Sequence, residues 1–292
     1  MWTLIQIELF KIFRRPRTYI AFAAIAALIG VVQLGLKIDG QAYVSFMMRD
    51  ISSSISVEGK ILNGYQVCYI VLQALLVHVP LLISLVAADM ISGEANMGTL
   101  RIMLTKPISR TQFLLAKFIA TVIYTLLLLV WLAIMALFVN MLIFGTDDLF
   151  LLKSQYVVLL KKDDVFWRYV CAFGFAALAM TTVAALGFFL SLFAENSIGP
   201  IIATMSVIIF FTILSTLSSI PLFNAIKPYL FTTHMIGWKE FFDIKVNDAN
   251  EAIVGTIQNP GKIVQSSIVL VLHIIGFITA GIFVFRKKDV LS

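Results

Sequence analysis

Few residues in this chain are placed to do chemistry, and what is missing narrows the function. The long apolar runs contain no Asp or Glu, and Lys117 is the single basic residue within them. Proton- and sodium-coupled carriers use intramembrane carboxylates as relays or ion sites, so a self-powered carrier is not expected. His78 and His273 fall in apolar runs. Each has two readings, a gate or ligand contact and a neutral ring bonded to a neighbouring helix. No histidine pair stands at metal-ligand spacing beside a carboxylate base. No metal site, membrane-embedded hydrolase or catalytic residue is therefore assigned. Gly59-Lys60 and Gly261-Lys262 lack the upstream glycines and the following Ser/Thr of a phosphate-binding loop. If ATP drives this protein, another chain binds it.

Two further sets remain. Thr204, Thr212, Ser215 and Ser219 share one helical face. They read either as small residues that let helices approach or as the wall of a translocation path. Cys68 and Cys171 could meet near the ends of their spans, but small buried cysteines are the commoner use.

The elements that must position these residues are membrane spans. The chain is 60% hydrophobic and 13% charged, and its mean hydropathy is +0.98; a soluble domain carries about 25% charge. After an amphipathic stretch at 1–17, with Trp2, Ile5, Leu9 and Ile12 at helical spacing, apolar runs follow at 18–36, 66–88, 113–143, 169–193, 198–220 and 263–285. Each meets the need for about 20 residues to cross the hydrocarbon. The expected fold is an all-α integral membrane protein: an interfacial helix at 1–17, then six spans forming a single transmembrane domain over 1–292. Pro80 permits a kink in the second span.

Charge orients the chain. The segments 1–17, 89–112, 194–197 and 286–292, with Lys117, carry the whole net +6, whereas the longer segments on the other side balance. By the positive-inside rule, both termini and the 89–112 loop are cytoplasmic, in a plasma membrane. The basic balance is thus a topology signal, and no nucleic acid is expected. Of the outer loops, 147–168 reads as a surface helix that alternates charge pairs with apolar stretches, and 221–262, broken by Pro221 and Pro228 and rich in aromatics, as re-entrant or interfacial helices.

Segment 89–117 is punctuated beyond the needs of a connecting loop. Ser92-Gly93-Glu94 can open a helix, Gly98-Thr99 makes a break, Thr105-Lys106-Pro107 ends a second helix, and Ser109 can cap the third span. It reads as a docking element.

Ile91-Ser92-Gly93-Glu94, Gly98-Thr99-Leu100-Arg101, Leu104-Thr105, Lys106-Pro107-Ile108-Ser109-Arg110 and Lys117 resemble the permease subunits of ABC transporters with the type-2 membrane domain. Glu8-Leu9, Arg14-Arg15-Pro16 and the ending Phe285-Arg286-Lys287-Lys288-Asp289 are similar to that family's termini. The resemblance implies a half-transporter, mostly an exporter, that pairs with a second permease copy and with two ATP-binding subunits, which hold ATP and magnesium. It implies that the 89–112 hairpin is a coupling helix, with Glu94 its charged contact, Gly98 its break, and Thr99, Leu100 and Arg101 its continuing surface. Pro107, Ser109 and Arg110 would fix the start of the third span. Glu195 and Asn196 would be a lesser contact, and the second and fifth spans, with His78 and the Thr204, Thr212, Ser215 and Ser219 stripe, would line the path. A membrane anchor that recruits a non-ATPase partner, or a channel with its own gate, is the alternative. No cargo is assigned beyond a hydrophobic or amphipathic class.

Overall fold

The computed structural model describes residues 1–48, 61–105, 107–152, 157–217, 221–245 and 253–288. Helices dominate, and their order follows the apolar runs. A short helix α1 (Trp2–Arg14) is followed by α2 (Pro16–Met48), with Pro16 opening the second, where a missing N–H costs nothing. The second apolar run is broken into α3 (Gly64–Ala74) and α4 (His78–Ala87), which meet at 57°. The hairpin helices α5 (Asp89–Asn96) and α6 (Thr99–Leu104) precede α7 (Arg110–Ala133), which continues through a π-turn at Ile134–Phe138 into α8 (Val139–Phe144). Then come α9 (Lys162–Leu190), α10 (Ile198–Thr216), the short α11 (Pro221–Ile226) and α12 (Phe231–Met235), and finally α13 (Pro260–Lys287).

Among the described residues, five continuous helices are long and apolar enough to cross a membrane, and α3 with α4 makes a sixth, bent candidate. The chain is a multi-pass membrane protein. The bend lies at residues 75–77, a few positions before Pro80. Pro80 thus sits in the first turn of α4, where its lack of an N–H is tolerated. α9 is the central column: 67% of its apolar window is buried, against 17% in α2 and α13. Its face toward α4 carries small residues. A Cβ at Gly187 would lie 3.4 Å from both the Ala87 Cβ and the Thr204 hydroxyl, so the backbones of α4, α9 and α10 approach closely there.

One expectation is corrected, and two segments are sharpened. Where a surface helix is expected over 147–168, two antiparallel strands pair, β1 (Leu149–Leu152) with β2 (Val157–Leu160), in register Leu149↔Leu160 and Leu152↔Val157. Two four-residue apolar stretches are too short to bury a helix face but suffice for paired strands. The helix that holds the fourth apolar run starts ahead of it, at Lys162, because Asp163 and Asp164 fill its first turn and favour the helix N-terminus. Its buried Arg168 ion-pairs with Asp164 at 2.6 Å and donates to the carbonyls of Phe241 and Thr256. The segment before the last span is helical as expected, but in pieces of at most seven residues, packed by Phe231, Trp238 and Phe242.

At the end of the molecule away from α5 and α6, the second and third spans are tied together. The Asn63 side chain caps α3 by accepting from the Gln66 amide at 3.1 Å and donates to the Asp148 carbonyl at 2.7 Å. The Gly64 amide donates to the Gly145 carbonyl at 2.8 Å. A Cβ on Gly64 would lie 2.6 Å from the Met141 backbone, which cannot yield as a side chain can. Gly64→Ala is expected to destabilise the protein by about 1–3 kcal/mol, the usual cost of overpacking, measured as lowered thermal stability in detergent.

Candidate functional site

The punctuation of the 89–117 segment is largely present. Gly98 has φ +67°, the left-handed conformation that glycine adopts without cost, and it separates α5 from α6. Ser109 caps α7, its side chain accepting from the Gln112 amide at 3.2 Å. The first helix, however, opens at Asp89 and not at Ser92. Only Ala88 separates it from α4, and the Ser92 hydroxyl bonds back to the Ala88 carbonyl at 2.6 Å. The second span therefore passes into the hairpin without a flexible joint.

The acidic residues of α5 face inward. Lys117, only 1% exposed, reaches Glu8 of α1 at 2.6 Å and Glu94 of α5 at 2.7 Å. Lys11 reaches the same two carboxylates at 2.9 and 2.8 Å. Two ammonium groups and two carboxylates thus neutralise one another at the meeting of α1, α5 and α7. One turn away on α5, Asp89 pairs with Arg15, with Arg17 at 2.8 Å, and with the Ser197 hydroxyl ahead of α10. Gly93, one turn beyond Asp89, leaves room for that carboxylate, which a Cβ would strike. A cavity of about 20 Å³ lies between the two clusters, room for one water.

Burial alone would raise the Glu94 pKa, but the Lys117 charge and the hydrogen bonds from Lys11 and Lys117 outweigh it and hold the carboxyl below its ordinary 4.5. The converse holds for Lys11. Burial lowers it, yet Glu94 and Glu8 together raise it above 10.5.

The residues singled out in the sequence are divided by this packing. Glu94 and Leu100 are buried, so neither offers a free surface; Glu94 spends its charge inside the chain. Arg110 turns away from the hairpin tip and donates to the carbonyls of Arg286 at 3.1 Å and Lys288 at 2.8 Å, capping the end of α13. Thr99 is half-buried, its hydroxyl donating to the Glu94 carbonyl at 3.3 Å. The Arg101 side chain and Lys106 lie outside the described residues. What faces outward is Asn96, Met97, Gly98, Ile102, Thr105 and Pro107, with Met97 57% and Ile102 65% exposed. Glu195 and Asn196 are exposed on the turn before α10.

The hydroxyl stripe also divides. Thr204 is fully buried between α9 and α4, whereas Thr212 and Ser215 border a large cavity; Ser219 lies outside the described residues. His78 is exposed at the start of α4, its Nδ1 3.0 Å from the Ala74 carbonyl. His273 packs beside the rings of Phe231 and Phe277. Cys68 is buried, Cys171 is exposed, and both are free. Sequence reasoning missed Glu8, Lys11 and Asp89 as members of the site. The signal was Lys117 itself, since a base inside an apolar run needs a counter-ion within reach.

A family described as "Protein of unknown function (DUF2705)" matches residues 23–291. The chain is 23% identical over 215 residues to the uncharacterized protein YhcI of Bacillus subtilis (strain 168). That match covers 71% of this chain and 63% of the relative's length.

Two outcomes follow from the charge cluster. Lys117→Ala leaves Glu8 and Glu94 buried with one cation between them, and is expected to cost about 3–5 kcal/mol of stability. The combined Glu8→Gln, Lys117→Met change should lose markedly less, as read by thermal unfolding in detergent. For pH the sign is set by Glu94: its folded pKa is depressed, so its contribution is present above 4.5 and lost as pH falls through the folded value. Wild-type stability should drop below pH 4.5, and the Glu94→Gln variant should show a flatter acid limb.

Proposed function

We propose that this chain, which belongs to the DUF2705 family, is the membrane-spanning subunit of an ATP-driven transporter of the ABC class, working as an exporter with a second permease copy and two separate ATP-binding subunits. One observation carries the reading. The short helix α5 is joined to α1, α7 and the start of α2 by ion pairs of its buried Asp89 and Glu94, while the tip beyond it presents apolar side chains to the outside. A loop that merely connects two spans needs neither feature. A lever that receives force from a soluble partner needs both.

The physical logic is direct. Movement of the tip is passed to α7 through Lys117–Glu94, to α1 through Lys11, and to the start of α2 through Asp89 with Arg15 and Arg17. It also passes straight into α4, from which α5 continues after a single residue. Between Asp89 and Asn96 this path is one continuous helix. In this reading the partner contact is made by Met97, Ile102 and Pro107, and the charge of Glu94 acts inside the lever. The exposed turn at Glu195 and Asn196 sits beside it, since Ser197 bonds to Asp89. Lysines and arginines concentrated at this end support a cytoplasmic placement.

The test is purification of the tagged chain from its native membrane in mild detergent, with its companions identified by mass spectrometry. An ATPase carrying a phosphate-binding loop should co-purify in equal amount. Met97→Glu and Ile102→Glu, both at exposed positions, should each reduce its recovery at least tenfold without lowering the thermal stability of the chain. Absence of any ATP-binding companion, or full recovery with both variants, would overturn the proposal.

A further inference from the structure

The apolar stripe at the start of the chain divides once α1 is folded. Ile5, Glu8 and Ile12 are buried on the side of the helix that packs on α7. The other side is bare. Trp2, Gln6, Phe10 and Arg14 follow one another there at four-residue steps, all of them exposed, Trp2 by 65% and Phe10 by 62%. Ile7 is exposed beside them. The Arg14 guanidinium lies over the Phe10 ring, 5.0 Å from its centroid, where the ring quadrupole attracts a cation.

The charge around this face does not balance. Glu8, the single acidic residue of segment 1–17, is buried and paired with Lys11 and Lys117. Arg15 and Arg17 share the one carboxylate of Asp89, which leaves a positive charge over. Arg14, without an acidic partner among the described residues, adds another. All three arginines stand at the corner where α1 ends: Arg15 is extended, and α2 begins at Pro16. One turn into α2, Tyr19 and Ile20 are both exposed. Aromatic side chains collect where hydrocarbon meets headgroups, and a guanidinium binds phosphate through parallel N–H donors. Aromatic rings beside surplus arginine therefore fit a lipid that offers an acyl body and an anionic phosphate. A zwitterionic headgroup brings the same phosphate with a cation attached, which the surplus positive charge repels.

We propose that the exposed face of α1, with the corner at residues 14–17, binds an anionic phospholipid such as phosphatidylglycerol. Arg14 holds the phosphate, the charge left over at Arg15 and Arg17 adds to the attraction, and Trp2 and Phe10 meet the acyl chains. The surface lies on one chain and includes none of the exposed tip residues of the hairpin. It stands or falls separately from the recruitment of an ATP-binding partner.

The test is native mass spectrometry of the full chain released from vesicles of phosphatidylcholine and phosphatidylglycerol in equal parts, with the retained lipids counted by class. Wild type should retain phosphatidylglycerol in preference to phosphatidylcholine. A cation near an anionic membrane surface strengthens attraction about fivefold, so Arg14→Gln should lower that preference by about as much, and Arg14→Lys should lose less. Thermal stability should be unchanged in both, because Arg14 is exposed and pairs with no carboxylate. Phe10→Ser, which removes an acyl contact and no charge, gives an independent reading and should reduce the phosphatidylglycerol retained several-fold. Lys37→Gln removes an exposed cation toward the other end of α2 and should leave the preference as it is. No preference in wild type, an unchanged preference in Arg14→Gln, full retention in Phe10→Ser, or an equal loss in Lys37→Gln would each overturn the proposal.

Discussion

Everything at the hairpin end depends on neutralising one ammonium group. Lys117 lies two turns into α7 and is almost wholly removed from solvent. An unpaired charge there would be costly enough to unfold a marginally stable protein. Its two carboxylate partners are supplied by segments far apart in sequence, Glu8 from α1 and Glu94 from α5. A stable ion pair at this depth therefore requires all three segments to assemble together. Lys11 then balances the second negative charge, so that the cluster is closed and neutral. Apolar packing could hold the same helices together, but it is non-directional. The ion cluster also fixes their register.

The opposite end is built on the same rule. Arg168, fully buried in α9, is matched by Asp164 one turn earlier, and its remaining donors go to the carbonyls of Phe241 and Thr256. One charged group thereby anchors the polypeptide between α10 and α13 to the central helix. Tyr69, Tyr169 and Trp238 pack edge to face against Phe242 of that segment, an arrangement favoured by the ring quadrupoles. Buried charge thus holds the two ends of the molecule, and the zone between them is apolar. This is the distribution expected of a chain whose middle lies in hydrocarbon.

Much of this was legible in the sequence, and the failures have physical causes. Spans could be read because a run of about 20 apolar residues has few other uses. The caps could be read because Gly98 and Ser109 act on their immediate neighbours. The strands β1 and β2 were missed because apolar runs of four have no distinctive period. The inward turn of Glu94 was missed because it is decided by Lys11 and Lys117, one far upstream in the chain and one in the following span. The same holds for Arg110, whose acceptors lie at the other end of the chain. Local signals are carried by sequence; the direction in which a charge points is settled by tertiary partners. The split of the hydroxyl stripe is a third case, since Thr204 and Thr212 are alike until α9 packs against one and leaves the other beside a cavity.

The bend in the second span joins these observations. The second apolar run does not form one straight helix. Instead α3 stops at Ala74, and α4 departs at 57° with Pro80 in its first turn. The two halves are then held separately: α3 by Asn63 and Gly64 to the far end of the third span, and α4 through α5 to the charge cluster. Both halves are anchored at their outer ends, and between them Leu75, Val77 and Pro80 border the cavity. A displacement of the hairpin must therefore act first on α4, the wall of that cavity that is in line with it.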